Sequence, residues 1–180
     1  MKLVMFSPMA QELERGWPGR VDGDHVVQLA AQTLQSFFSG GGSAREHAAY
    51  PIDEVVFRAP VLHPPSIRLF DETGDFAFAN PAAIIAGGQP VPRPPGVDDV
   101  VPVDRMAAIV DADGRIGGFT PMIEWVAPGL AGAKARDFAL SLGPIVTTPD
   151  ERTPPGVDWD RIVAYAAAGT RLYPGDILAV

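Results

Sequence analysis

Val100-Val101-Pro102-Val103-Asp104-Arg105-Met106-Ala107-Ala108-Ile109-Val110, Asp111-Ala112-Asp113-Gly114 and Ile116-Gly117-Gly118-Phe119-Thr120-Pro121-Met122-Ile123-Glu124-Trp125 together form the stretch that decides the fold. Two strand-like runs flank an Asp-Gly turn, so the segment predicts a long hairpin at the centre of a mostly β chain. Upstream, Glu54 to Leu62 reads as a strand that stops at His63-Pro64-Pro65, where the prolines remove backbone donors. Asp75 to Asn80 alternates Phe with small residues before Pro81, and Pro90 to Pro95 is a stiff polyproline-like connector.

Residues 1–6 read as a first strand, and Arg20 to Val27 as a hairpin turning at Asp22-Gly23. Val27, Ala30, Ala31, Leu34 and Phe38 recur at helical spacing, which predicts a helix ended by Ser39-Gly40-Gly41-Gly42. No Lys-Ser or Lys-Thr follows that glycine run, so it reads as the start of a linker over 40–49 rather than a phosphate cradle. Downstream, Ala133, Ala135, Phe138 and Ala139 support a short helix within 130–142, although Gly129 and Gly132 loosen it. Asp158 caps a second helix that runs through the alanines to Gly169. No internal repeat is present.

The chain of 180 residues carries 14 basic and 22 acidic side chains, a net charge of −8. With Lys2 and Lys134 its only lysines, it lacks the basic patch a phosphate backbone requires, and no nucleic-acid partner is expected. It has no cysteine, which excludes thiolate catalysis, Cys-ligated zinc and iron–sulfur chemistry and fits a reducing compartment. No run approaches the roughly 18 apolar residues of a membrane helix, and Leu3-Val4-Met5-Phe6 is too short for a signal core. A cytoplasmic protein without membrane contact is the expectation. Glycine and proline, at 19 each, remain below the level that marks disorder, and the length suffices for a core without staples.

Eight pieces in order resemble the fumarylacetoacetate hydrolase family. They are Tyr50 to Val55 leading to Ala59-Pro60-Val61; Pro64 to Arg68; Asn80 to Ile84; Pro92 to Gly96; Gly118-Phe119-Thr120; Lys134 to Pro144; Thr148 to Glu151; and Thr170 to Ile177. The family's members transform β-diketone and 2-oxo acids with one divalent metal. The resemblance implies an α+β, mostly β fold: a mixed β-roll with few short helices. A small N-terminal β unit with one helix would span residues 1–55, and a reduced roll domain residues 56–180. It also implies a homodimer through the larger domain, or pairing with a full-length relative.

The family's metal site takes a Glu-x-Glu pair on one strand and an Asp on the next, because a hard cation wants several convergent oxygens. Matching Met106 to Val110 to the family's apolar strand puts Val103 and Arg105 at the two Glu positions and Glu124 at the Asp. A slip of one residue would bring Asp104 in but turn the apolar side outward. Arg105 and Glu124 would then face each other across the strands, either as a guanidinium in the cation's place or as an ordinary surface pair of under about 1 kcal/mol. On this reading no metal or other cofactor is expected.

Further losses accompany this one. Between Arg68 and Phe76 the family's acid- or His-bearing lid segment is missing, and Asp71, Glu72 and Asp75 read as solvated turn acids. The hairpin after Asp150-Glu151 and the Gly-rich strand after Asp176-Ile177-Leu178 are also missing, and His25, His47 and His63 show no metal-ligand spacing. What remains is cationic. Lys134 and Arg136 stand where the family binds substrate carboxylate or carbonyl and are the candidate catalytic residues; their alternative is a solvated helix face paired with Asp137 or Asp150. Arg68, Arg105 and Glu124 are candidate substrate-binding residues. Two functions follow. One is a metal-independent isomerase, cyclase, lyase or decarboxylase of a small carbonyl or 2-oxo acid. The other is a non-catalytic scaffold or regulatory subunit, whose pocket Val103, Met122 and Trp125 would fill.

Overall fold

Period-two alternation in the central hairpin sets the two sides of the structure. In the computed structural model, which describes residues 1–180, Ala107 and Ile109 enter one buried cluster while Ala108 and Val110 enter the other. The strand is therefore apolar on both faces at this end and needs cover on each. On one side the cover includes Leu34, Phe37 and Phe38, and on the other Trp159 and Ala166.

In chain order the elements are β1 (Lys2–Pro8), β2 (Trp17–Asp22), β3 (His25–Leu29), α1 (Leu34–Ser39), β4 (Glu46–Pro51), β5 (Val55–Arg58), β6 (Ile67–Phe70), β7 (Phe76–Phe78) and β8 (Ile84–Ala86). The second half holds β9 (Val101–Val110), β10 (Ile116–Val126), β11 (Leu140–Leu142), β12 (Ile145–Thr147), α2 (Trp159–Ala167) and β13 (Ile177–Ala179). One mixed sheet of 13 strands joins them, with the path β4-β3-β2-β1-β12-β10-β9-β13-β6-β7. β1 links the N-terminal strands to the rest by pairing with both β2 and β12. β13 inserts antiparallel to β9 and parallel to β6. No helix is long and apolar enough to cross a membrane.

Four local expectations are corrected. The first hairpin turns one residue later, at Gly23-Asp24, because His25 pairs with Asp22 and only Gly23 takes a positive φ, of 59°. The helix predicted from Val27 starts only at Leu34, where Thr33 caps it in a reciprocal box with Ser36. Val26 and Val27 are instead drawn into β3 by cross-strand pairing with Tyr50 and Ala49, which also turns part of the predicted linker into β4. Between Leu130 and Leu142 only a short 3₁₀ turn, Gly132–Ala135, forms, because Leu140, Ser141 and Leu142 are taken into the sheet between β10 and β8. The second helix forms as the sequence indicates, with Asp158 accepting a hydrogen bond from the Arg161 amide at 3.0 Å.

Ile109 lies fully buried in β9, which pairs with both β10 and β13, so its truncation opens a cavity that backbone on two sides cannot close. Ile109→Ala is expected to cost about 3 kcal/mol, read as a lower urea midpoint with an unchanged m-value.

Candidate functional site

β9 and β10 continue beyond the end of β13. β13 covers Ala107 to Ile109, and Val180 exchanges backbone hydrogen bonds with Met106 at 2.9 and 3.0 Å, leaving Arg105 and Val103 past the last rung. There a cleft of about 760 Å³ opens, lined by Val103, Arg105, the β6–β7 turn at Asp71 to Gly74, and Asp158, Arg161, Ile162 and Tyr165 along α2 and its N-cap.

Arg105 and Glu124 meet beside this cleft. Their register is the one the alternation predicts: Arg105 lies opposite Met122 and Val103 opposite Glu124, so all four share one face of the hairpin. Arg105 Nε donates to Glu124 Oε2 at 2.7 Å, and its Nη1 donates to the Phe70 carbonyl at 3.0 Å. No protein acceptor takes its Nη2. Arg136 reaches the same carboxylate from the loop before β11, with Nη1 3.2 Å from Oε1 but too poorly aligned to count as a hydrogen bond. Glu124 has no exposed surface, whereas Arg105 is 15% and Arg136 50% exposed. The pair is therefore buried on its carboxylate side and is not a surface pair. One buried carboxylate held by two guanidiniums leaves a net charge of +1 in the cluster, of which Arg105 alone lines the cleft.

No protein-family model and no curated protein matches the sequence. Solved structures do. Over 99% of this chain and 87% of its own, maleylpyruvate hydrolase from Sphingobium sp. SYK-6 superposes with a TM-score of 0.76 at 23% identity. The same enzyme in complex with manganese(II) and pyruvate gives 0.75 at 22%, with the same coverage of both chains. 5-Carboxymethyl-2-hydroxymuconate delta-isomerase from Mycobacterium smegmatis gives 0.74 at 17% identity, again with 99% and 87% coverage. The fold is the fumarylacetoacetate hydrolase fold. At these identities the likeness carries the architecture, and the chemistry has to be argued from the side chains.

On this fold the cations expected to converge are distributed among three places. Lys134 is 80% exposed and pairs with Asp137 at 2.7 Å, which is the solvated alternative for that residue. Arg136 turns inward to Glu124. Arg68 is buried elsewhere: Nη1 donates to Ser66 Oγ at 2.9 Å and lies 3.8 Å from Asp176, while Phe76 and Phe78 pack on its guanidinium at 5.6 and 5.5 Å. Ser66 Oγ in turn donates to Asp176 at 2.8 Å, so Arg68 fastens β6 to the turn before β13 and shares no partner with Lys134 or Arg136. Neither Lys134 nor Arg136 lines the large cleft. Of the three apolar residues considered as pocket filling, Met122 is buried, Val103 lines the cleft, and Trp125 donates its indole N–H to Ser141 Oγ at 2.9 Å.

Two acids of the β6–β7 turn, Asp71 and Asp75, hold that turn in place. Asp71 Oδ1 accepts from the Thr73 amide and hydroxyl and from the Asp75 amide, which holds its carboxyl below the usual range. Asp75 accepts the Tyr165 hydroxyl at 3.0 Å, tying the turn to α2 and pushing that phenol above its ordinary value. Sequence reasoning missed Arg161 and Tyr165 as cleft residues. The available signal was their i, i+4 spacing on α2, which sets both on one helix face.

Removing Arg105 leaves Glu124 buried with one poorly aligned partner. Arg105→Leu is expected to cost about 3 kcal/mol, and the double change Arg105→Leu with Glu124→Leu to recover most of it, measured as a double-mutant cycle in urea. Additive losses would show that the pair contributes nothing to folding.

Proposed function

We propose that the protein binds a small carbonyl acid or 2-oxo acid in the cleft beside Arg105 and transforms it as an isomerase, cyclase, lyase or decarboxylase does, without a metal ion. The observation that carries the reading is the Arg105–Glu124 pair at 2.7 Å with a partner-free Nη2. In each of these reactions negative charge gathers on a carbonyl oxygen or carboxylate. A guanidinium held rigid by a buried counter-ion is a donor already oriented for that charge. The apolar wall of Phe70, Val157, Ile162 and Tyr165 would exclude water from the rest of the ligand. The pyruvate in the maleylpyruvate hydrolase complex supports the ligand class.

A hard divalent cation does not fit these residues. Val103 offers no donor atom, and both oxygens of Glu124 face guanidiniums at 2.7 and 3.2 Å. No three His, Asp or Glu side chains converge elsewhere in the chain. A metal at Glu124 would have to displace two cations and complete its shell with water alone.

A second reading, a non-catalytic scaffold that pairs with itself or with an intact relative, is favoured by the solvent-facing position of Lys134 and by exposed Phe78, Met9 and Val101. The two readings part on ligand binding. In thermal-shift titrations Mg²⁺, Mn²⁺ and Ca²⁺ alone are expected to leave the melting temperature unchanged, and pyruvate alone to raise it. Arg105→Lys keeps the charge but loses the fork and is expected to weaken that shift. A metal-dependent rise would overturn the metal-free reading, and no rise with any ligand would leave the scaffold.

A further inference from the structure

Arg161 is the one cation of the cleft that the reading above does not use. It sits in the first turn of α2 and lines the same cavity as Arg105. Its guanidinium has no carboxylate within 4.0 Å, although Asp71, Glu72 and Asp158 line the same cavity. Asp158 is engaged with the Arg161 amide as helix cap, and Asp71 with the amides of its own turn. The exposed side chain lies against the β6–β7 turn. A Cβ built on Gly74 would come to 3.3 Å from Arg161 Nη2, so the guanidinium lies close over the glycine of the turn. Gly74 also has a φ of 85°, which the tight Asp71–Asp75 turn requires.

Taken with Tyr165 one helical turn on, the cleft has cations from two different elements, β9 and α2, with an apolar wall of Phe70, Val157 and Ile162 also lining it. Without Arg161 the charged lining would be Arg105 against Asp71, Glu72 and Asp158, a net −2 that repels the free end of an anionic ligand.

We propose that Arg161 forms a second anion-binding subsite, so that the ligand held at Arg105 carries a further anionic group at its other end. This rests on the reading that Arg105 takes a carboxylate. The helix fixes the backbone of Arg161 at the mouth of the cleft, and the Tyr165–Asp75 hydrogen bond holds the turn it lies against.

Isothermal titration at low ionic strength with 2-oxoglutarate and 2-oxopentanoate tests it, since the two share a chain length and differ in the terminal carboxylate. The wild-type protein is expected to bind 2-oxoglutarate about tenfold more tightly, the difference one charge-assisted contact makes. Arg161→Gln is expected to abolish that preference while leaving 2-oxopentanoate binding unchanged. Arg161 is exposed and its amide contact is retained in the variant, so folding should be intact, which the melting temperature checks. Equal binding of the two acids by the wild type, or equal weakening of both in Arg161→Gln, overturns the subsite and leaves the Arg105 reading standing. Binding of neither acid overturns the Arg105 reading, and the subsite with it.

Discussion

Glu124 is a carboxylate with no solvent around it, placed between Leu140 and Val103 on the neighbouring strands, where β9 has passed the end of β13. An isolated charge in that position would have to be neutralised by proton or by partner. The chain supplies partners, one from β9 and one from the loop before β11, and much of the local structure follows from holding them. Arg105 cannot leave Glu124 without also releasing the Phe70 carbonyl, so the same guanidinium joins β9 to the end of β6 beyond the reach of β13. The ion cluster thus substitutes for a missing rung of the sheet. It also fixes one wall of the cleft.

The central hairpin was legible because its alternation has one solution. Ala107 and Ile109 against Ala108 and Val110 require burial on both faces, and any slip would have placed Arg105 on the wrong side of the strand. The placing of Arg105 and Glu124 on one face of adjacent strands followed from that register alone. Where two periods competed, local pattern was insufficient. Val27, Ala30, Ala31 and Leu34 fit a helical face, yet Val26 and Val27 were claimed by pairing with Tyr50 and Ala49, residues more than twenty positions away. The same holds for Leu140 to Leu142, which the sheet takes because β10 and β8 offer unpaired edges on both sides.

The candidate site was legible only in part, and for a related reason. Register can place two residues on facing strands, but not the direction of a long side chain leaving a loop. Lys134 and Arg136 are two residues apart, yet one reaches solvent and Asp137 while the other reaches the buried Glu124. A 3₁₀ turn rather than a helix separates them, so helical spacing could not have told them apart. Arg68 was similarly deceptive: a cation in a strand preceded by two prolines, it is occupied by Ser66, Asp176 and two aromatic faces.

What moved the cleft away from Lys134 is the position of α2. The apolar residues of that helix, Trp159 and Ala166 foremost, pack on the cluster built from Ala108, Val110, Phe119 and Leu178, the far face of β9 from Ile109. A helix anchored there by Trp159 against Phe119, ring centroids 4.9 Å apart, presents its first turn to the end of the hairpin. Asp158 and Arg161 therefore reach the space beside Arg105, and the β6–β7 turn closes it from the third side through Tyr165 and Asp75. The cavity is a consequence of core packing on one face of a strand whose other face carries the ion cluster. Its chemistry is set at Arg105, which lies past the end of β13, pairs with Glu124 and reaches the Phe70 carbonyl.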